Sequence, residues 1–439
     1  MKTELKSKLL PSYSNKTKNT SLKNSRKDNI DYSNALRATG TNDKASNALG
    51  AGIYIHIPFC KQACFYCDYH FSTSLKKKEA LIQALVKEIE LRKDELKNHQ
   101  VETIYFGGGT PSILAIADLR VLIDAVYKNF NVVNRAEVSL EANPDDLMAV
   151  KAQSGSIFQA YKSIGINRLS IGIQSFFEDD LKSMNRAHSA NEAKACLQEA
   201  TRHFKDITID LIYGIPNMSL EKWNENLDIA LSFGINHISS YVLTVEPKTA
   251  LKAFIKKGSY PPIDEPLALQ HFNYLIEKTK AHGFVQYEIS SFGKPNCFSK
   301  HNTSYWQGKP YIGIGPSAHS YSKTQRSWNV SNNSKYIKSI NNNELPHTIE
   351  TLSITDQYNE YVMIGLRTMW GVSLNKIEHD FGLSYRVHLE KASEKFIDEE
   401  LLSVSVISDK EQQNAIKILK ATPKGMFLVD GMVAELFLI

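Results

Sequence analysis

Short apolar runs alternate with longer amphipathic stretches along the first half of the chain, beginning at Gly52. The runs at residues 53–57, 103–106, 137–140, 168–171, 207–212 and 237–242 are predicted strands, and the stretches at 79–96, 116–130, 178–204 and 220–233 are predicted helices. Strands that alternate with helices of this length are typical of βαβ units and a parallel sheet. Six such units predict an α/β fold, a complete or partial β/α barrel, with functional residues on the loops after the strands.

The pattern changes after about residue 245, where prolines interrupt it and a Gly- and aromatic-rich stretch follows at 287–328. An Asn- and Ser-rich connector at 329–343 leads to a distinct final region. That region reads as helices at 356–369, 374–381 and 385–399, a short strand region ending at Thr422, and a helix at 425–437. Three small helices with a β element resemble a winged-helix module.

These changes divide the chain into four predicted parts. They are a tail at 1–50, a β/α barrel core at 51–245, a barrel extension with extra strands at 246–345, and a winged-helix-like domain at 346–439. The tail is dominated by Ser, Thr, Asn and Lys. Such a segment buries too little apolar surface to offset its ordering entropy, so we expect it to be disordered.

The net charge of +5 comes from the tail, which holds 10 Lys/Arg and 4 Asp/Glu. The rest of the chain is near neutral, which argues against a nucleic-acid-binding surface, so we expect no nucleic-acid partner. No apolar run approaches the roughly 20 residues of a membrane-spanning helix, which excludes an integral membrane protein and leaves peripheral association open.

Three of the five cysteines, Cys60, Cys64 and Cys67, lie within eight residues directly after the first predicted strand. Clustered thiols favour a metal site in a reducing compartment, so we expect a cytoplasmic protein. Three thiolates at this spacing can bind three irons of a cubane cluster and leave the fourth iron open. A zinc site is the alternative, with His70 as a fourth ligand, although this spacing is unusual for zinc.

Two further segments, FGGGTPS at 106–112 and EANP at 141–144, follow the second and third predicted strands. With the cysteine motif, they resemble the radical S-adenosylmethionine superfamily. More narrowly, they resemble its branch of oxygen-independent coproporphyrinogen III oxidases and HemW heme chaperones. The resemblance covers the chain from about Tyr54 onward. It implies a [4Fe-4S] cluster on Cys60, Cys64 and Cys67, with S-adenosylmethionine bound at the open iron.

The resemblance also assigns the residues of the S-adenosylmethionine site. Relative to the spacing usual in the family, an insertion at 152–157 lengthens the segment before Gln174. The resemblance implies that Arg186 pairs with the ligand's carboxylate, for which a guanidinium fork is suited. The alternative for the polar residues is that each caps a neighbouring loop. The other implied contacts are Tyr54 beside the cluster, Gly108, Gly109 and Thr110 at the methionyl end, and Glu141, Gln174 and Asp210 at amino or ribose hydroxyl groups.

Two features distinguish the branches within this resemblance. The oxidases carry a fourth cysteine two residues after the third, where this chain has Tyr69. The segment HNTSYW at 301–306 matches the H-N-x-x-Y-W signature of the HemW proteins. Imidazole is a sound axial ligand for heme iron, so His301 is the favoured heme contact over a satisfied buried histidine. His319 is the second candidate.

The resemblance therefore implies a heme chaperone that binds a [4Fe-4S] cluster, S-adenosylmethionine and heme. Its expected partners are heme-accepting proteins and an electron donor such as flavodoxin or ferredoxin. It leaves open whether the chain is an enzyme, because a chaperone could use S-adenosylmethionine to set its conformation. The alternative is an oxygen-independent coproporphyrinogen III oxidase, which oxidatively decarboxylates propionates of its substrate.

Overall fold

A computed structural model describes residues 49–149, 156–408 and 415–439, all of which belong to the same unit of the chain. The predicted disordered tail, up to residue 48, and most of the predicted insertion lie outside the described residues. None of the described helices combines the length and the apolar character needed to cross a bilayer.

The first half of the chain forms six parallel, sequentially paired strands, each followed by at least one helix, as predicted. The strands are β1 (Leu49–Ile57), β2 (His99–Gly108), β3 (Val132–Ala142), β4 (Arg168–Gln174), β5 (Asp206–Tyr213) and β6 (His237–Val242). The helices are α1 (Lys78–Leu91), α2 (Ile116–Asn129), α3 (Pro144–Ala149), α4 (Ile157–Ser163), α5 (Glu178–Ser183), α6 (Ala190–His203), α7 (Leu220–Ser232), α8 (Ala250–Lys256) and α9 (Glu265–Ala281).

The two faces of this sheet differ in chemistry because side chains alternate along each strand. Ile53, Ile55 and Ile57 of β1 are fully buried in the main hydrophobic core, together with the apolar sides of the helices. The intervening Tyr54 and His56 lie on the opposite face, which we call the polar face. Because the aliphatic side chains face the helices, the alternate positions along the strands, which include polar residues, share the opposite face of the sheet.

Additional strands extend the sheet at both edges, in the order β12-β11-β10-β9-β1-β2-β3-β4-β5-β6-β8-β7. Within the described residues the sheet does not close on itself, which confirms a partial barrel with extra C-terminal strands. The added elements are β7 (Val285–Gln286), β8 (Ser291–Gly293), α10 (Lys300–Trp306), β9 (Tyr311–Ile314), β10 (His319–Tyr321), β11 (Gln325–Asn329), α11 (Asn333–Asn341) and β12 (His347–Thr351).

Two of the predicted helices are interrupted, and the one at 425–437 has a turn between the helices Pro423–Met426 and Val429–Leu436. The helix predicted at 178–204 is two helices, α5 and α6, because Asn185 adopts a left-handed φ of 58° and Ser189 starts a new helix with a capping box to Glu192. The connector predicted at 329–343 contains α11, whose N-cap Asn332 accepts a hydrogen bond from the backbone of Lys335. For α6 and α11, a local capping side chain decided the element.

The final region forms a second hydrophobic cluster that includes Tyr358, Leu389 and Leu419. Its first three helices and its three-stranded sheet confirm the winged-helix-like arrangement. The four domain boundaries stay a prediction. The elements are α12 (Ile354–Leu366), β13 (Val372–Ser373), α13 (Leu374–Phe381), α14 (Leu383–Asp398), β14 (Leu402–Ser408), β15 (Ala415–Ala421), α15 (Pro423–Met426) and α16 (Val429–Leu436).

Candidate functional site

The cysteine loop leaves the carboxyl end of β1 and is held to the loop that follows β2 by backbone hydrogen bonds. Gly109 N donates to the carbonyl of Ile57 (2.9 Å), and Thr110 N donates to the carbonyl of Phe59 (2.7 Å). Cys60 N donates to the carbonyl of Ser72 (3.1 Å), which closes the loop at its far end. The two loops therefore form one surface at the strand ends.

The glycines of the second loop are required by this packing. A Cβ on Gly109 would lie 2.6 Å from the Phe59 carbonyl oxygen and 2.9 Å from that of Ile57. Gly108 has a φ of +112°, which side chains disfavour, and a Cβ there would lie 2.5 Å from the His56 ring. The structure thus explains both residues by loop packing, and their contact with the methionyl end of a ligand stays a prediction.

Cys60, Cys64 and Cys67 are free thiols and half-buried. Thr110 Oγ1 donates to Cys60 Sγ (3.5 Å), and Arg186 Nη1 donates to Cys64 Sγ (3.4 Å). Burial raises the pKa of the Cys60 thiol and raises that of Cys67 to about 11. The Thr110 donor favours the thiolate that iron binds, but at Cys60 it only partly opposes the effect of burial.

The donor set fits a cluster better than a zinc ion. Within residues 49–149, 156–408 and 415–439, no three His, Cys, Asp or Glu side chains converge as the ligands of one metal ion do. A cubane takes each sulfur on a different iron, whereas zinc needs four donors around one point. His70, the zinc alternative's fourth ligand, hydrogen-bonds through Nε2 to Asn333 Oδ1 (2.8 Å).

Arg186 lies in the break between α5 and α6, and two acceptors on neighbouring strand ends hold it. Its Nη2 donates to Asn143 Oδ1 (2.7 Å) and to the carbonyl of Gly172 (2.9 Å). Asn143 in turn donates to Thr110 Oγ1 (3.3 Å). The Arg186 Nε is buried and makes no hydrogen bond to a described residue, so one donor remains for a ligand.

Two carboxylates lie on the polar face near this arginine. Glu141 accepts hydrogen bonds from the Tyr105 hydroxyl (2.8 Å) and from Gly108 N (3.2 Å). Asp210 accepts a hydrogen bond from Ser170 Oγ (3.4 Å). Burial raises the pKa of Glu141, and burial followed by the nearby Glu141 charge raises that of Asp210 to about 7. This is where a cationic ligand would be most favoured.

Gln174, at the carboxyl end of β4, and Tyr54, on β1, are the remaining predicted contacts on the polar face. Gln174 is buried with a left-handed φ of 65°, a strained backbone of the kind concentrated at functional sites. A Cβ on Gly172 would lie 3.0 Å from its side-chain nitrogen and 3.1 Å from Arg186 Nη2. The Tyr54 hydroxyl bonds to His56 Nδ1 (3.1 Å), and its ring stacks on Tyr105 at 6.1 Å.

The strand ends therefore bring together Tyr54, Thr110, Glu141, Gln174, Arg186 and Asp210, which the sequence predicted as one site. Sequence reasoning did not select Asn143, which joins Thr110 to Arg186, or Tyr105, which donates to Glu141. Asn143 is part of the quoted EANP segment, and strand alternation assigns Tyr105 to the face of the paired Tyr54. The roles of all these residues toward a ligand stay predictions.

The model of the radical SAM superfamily matches residues 54–230, and that of the HemN C-terminal domain matches residues 352–406. The heme chaperone HemW of Bacillus subtilis is 34% identical over 338 residues, which cover 75% of this chain and 87% of that protein. This chain belongs to the HemW family. The heme chaperone HemW of Mycobacterium tuberculosis is 33% identical over 332 residues, 74% of this chain and 84% of that protein.

A solved structure supports the same fold. The coproporphyrinogen III oxidase HemN of Escherichia coli, described as a radical SAM enzyme, superposes with a TM-score of 0.74. The superposition covers 89% of this chain and 90% of that protein at 21% identity. At this identity the likeness establishes the shared architecture of barrel and C-terminal domain.

His301, the first residue of the HNTSYW segment, lies on the polar face and is only 1% exposed. Its Nδ1 is hydrogen-bonded to Thr103 Oγ1 (2.8 Å) and its Nε2 to the Tyr305 hydroxyl (2.7 Å). Its ring stacks on Tyr105 at 4.9 Å. The contact with heme predicted for His301 stays a prediction, but in this conformation both ring nitrogens are engaged.

Glu137 anchors the helix that carries His301. Its carboxylate accepts hydrogen bonds from the backbone N–H groups of Lys300 and His301 (both 3.0 Å), at the first turn of α10. Arg168 Nη1 lies 3.9 Å from the same carboxylate, and both side chains are buried. No local pattern signals this role, because Glu137 and His301 are 164 positions apart.

His319, the second candidate, occupies a different setting. It is exposed at the start of β10, and its ring stacks on Trp328 of β11 at 6.1 Å with an angle of 29° between the rings. The two predicted heme contacts therefore differ in exposure. His301 is buried on the polar face, whereas His319 is exposed on β10.

Proposed function

We propose that this chain is a heme chaperone that holds a [4Fe-4S] cluster and S-adenosylmethionine, binds heme and delivers it to acceptor proteins. The proposal is carried by its similarity, over three quarters of its length, to proteins named heme chaperone HemW. Tyr69, where the oxidases have a fourth cysteine, also favours it. An electron donor such as flavodoxin or ferredoxin is part of the same proposal.

Cys60, Cys64 and Cys67 would hold the cluster, with Thr110 and Arg186 as hydrogen-bond donors to two of the three sulfurs. A cluster with an open iron supplies one electron and a coordination position for the amino and carboxylate groups of S-adenosylmethionine. The free Arg186 Nε is suited to that carboxylate. The protein's own contribution is to orient the ligand between the loops.

The charges of the polar face support a cationic ligand. Glu141 and Asp210 are carboxylates with raised pKa values, caused mainly by burial. A buried carboxylate without a cation is costly, so a molecule with a sulfonium and an ammonium group complements the pair. Tyr54 and Gln174 would border the same ligand. Ribose hydroxyl groups can donate to either carboxylate.

Anaerobic reconstitution tests the cluster. We expect about four iron atoms per chain, with loss of the cluster absorbance in Cys64→Ala. Cys297→Ala is the matched control, because Cys297 is also a free, half-buried thiol, but it lies outside the loop. Zinc in place of iron, or equal loss of iron in both variants, would contradict the assignment.

Heme binding and turnover separate the chaperone from the oxidase. Titration of the reconstituted protein with hemin should give a saturable heme spectrum at one heme per chain. Incubation with S-adenosylmethionine, a reductant and coproporphyrinogen III should leave that substrate unchanged. Conversion to protoporphyrinogen would instead identify an oxidase and overturn the chaperone proposal.

A further inference from the structure

The imidazole of His301 is poorly placed to receive iron in this conformation. Its Nε2 faces the Tyr305 hydroxyl at 2.7 Å, and its Nδ1 faces Thr103 at 2.8 Å. Because Tyr105 covers its ring and the side chain is buried, a heme iron could reach the Nε2 atom only if the Tyr305 hydroxyl were displaced. The hydrogen bonds of His301 are those of a residue that fixes α10 to the sheet.

His319 presents the opposite situation. It is exposed, and its ring makes no hydrogen bond to any residue in the described part of the chain. Trp328 lies beside the imidazole, with the ring centroids 6.1 Å apart and the ring planes at 29° to each other. An accessible imidazole whose nitrogens have no protein partner is what axial ligation of heme iron requires.

The register of the added strands surrounds His319 with aromatic side chains on the same face. Tyr321 follows it by two residues on β10 and is paired with Tyr311 of β9, and both tyrosines are half-buried. Their rings stack at 6.3 Å. Between Tyr311 and His319 the face carries Gly313, paired with Tyr54 of β1, so this surface continues into the proposed S-adenosylmethionine site.

From these observations we propose that His319 is the axial ligand of the heme and that the porphyrin lies over Tyr321 and Tyr311. The inference rests on the proposed function. Side chains on a strand stand roughly perpendicular to the sheet, so a heme bound through the His319 imidazole lies parallel to the sheet, against the tips of the tyrosines. Trp328 is the positioning residue of this proposal, since it is paired with His319 across β10 and β11 and its ring lies beside the imidazole.

One guanidinium lies at the edge of this surface, where it would be the partner of a heme propionate in competition with two carboxylates. Arg326, paired with Tyr321 across β10 and β11, extends from the same face. Its Nη1 lies 3.1 Å from Glu360, while its Nε is buried and makes no well-aligned hydrogen bond to a described residue, although Glu350 is 3.2 Å away. Burial raises the pKa of Glu360, whereas the charge of Arg326 lowers it.

The test is a hemin titration of the reconstituted protein, followed by absorbance and by electron paramagnetic resonance of the ferric heme. His319→Ala should lose the histidine-ligated signal and bind heme at least about tenfold more weakly. Trp328→Leu should keep that signal and weaken heme binding about threefold to tenfold. Trp328→Phe, which keeps an aromatic ring, should bind heme with the wild-type affinity. His282→Ala is the matched control, because His282 is exposed but has no aromatic neighbour among the described residues.

Each outcome addresses one of the two proposals. Loss of the signal in His301→Ala but not in His319→Ala would overturn this inference and leave the heme chaperone in place. A wild-type protein that binds no heme would overturn the proposed function itself. His319 is exposed, so its substitution should leave the thermal unfolding curve unchanged, and that curve is recorded for each variant.

Discussion

Replacing Asp210 by Asn removes a carboxyl group whose protonation depends on the folded structure. Burial, followed by the charge of Glu141, raises its pKa from the ordinary 3.8 to about 7. Between these two values the folded protein binds a proton that the unfolded chain does not. The stability associated with this group is therefore fully present below about pH 4 and is lost as the pH rises to about 7.

A shift of three pKa units corresponds to about 4 kcal/mol at 1.36 kcal/mol per unit. Asp210 is only partly shielded from solvent and shares its interaction with Glu141, so we expect about half of this, roughly 2 kcal/mol. The neutral amide of the Asp210→Asn variant carries no such cost. With an unfolding entropy of about 0.9 kcal/mol/K for a chain of this length, the substitution should raise Tm by about 2 °C at pH 8 and by about a quarter of that at pH 4.5.

The measurement is thermal unfolding of the reconstituted protein under argon, without S-adenosylmethionine, across pH 4.5–8. Asp124→Asn is the matched control, because Asp124 is exposed on α2. It should not reproduce a stabilisation that grows with pH. An equal gain at all pH values would indicate a packing effect, and a loss of stability at pH 8 would refute the reasoning about the buried charge.

Three further changes test the contacts that support the site. Glu137→Gln leaves Arg168 buried without its carboxylate, so it should destabilise the protein by about 3 kcal/mol in thermal unfolding. Arg186→Lys cannot serve the same acceptors, and it should weaken S-adenosylmethionine binding at least about tenfold by calorimetry; unchanged affinity would exclude a direct contact. Gly109→Ala should cost about 1–3 kcal/mol and lower iron content, whereas Gly431→Ala, with open space around its Cβ, should do neither.

The alternation of apolar and polar residues was sufficient to predict the first half of the fold. Each predicted strand lies within an observed one, because a strand covered by helices must bury every second side chain. The helix predicted at 178–204 failed because periodicity alone does not register a left-handed residue such as Asn185. That failure matters for the site, since the break places Arg186 beside Cys64.

Local motifs in the sequence by themselves determined the cysteine loop, the glycine loop and the polar residues at the strand ends. The chemistry of these motifs follows from the residue types and from their short spacing in the sequence, both of which are the same in the folded and the unfolded chain. Only the tertiary structure decided which partner each group receives. Arg186 donates hydrogen bonds to Cys64 and Asn143. Both ring nitrogens of His301 are hydrogen-bonded, whereas His319 is exposed to solvent. These pairings join positions far apart in the chain, so they depend on strand register and burial, which no local pattern encodes.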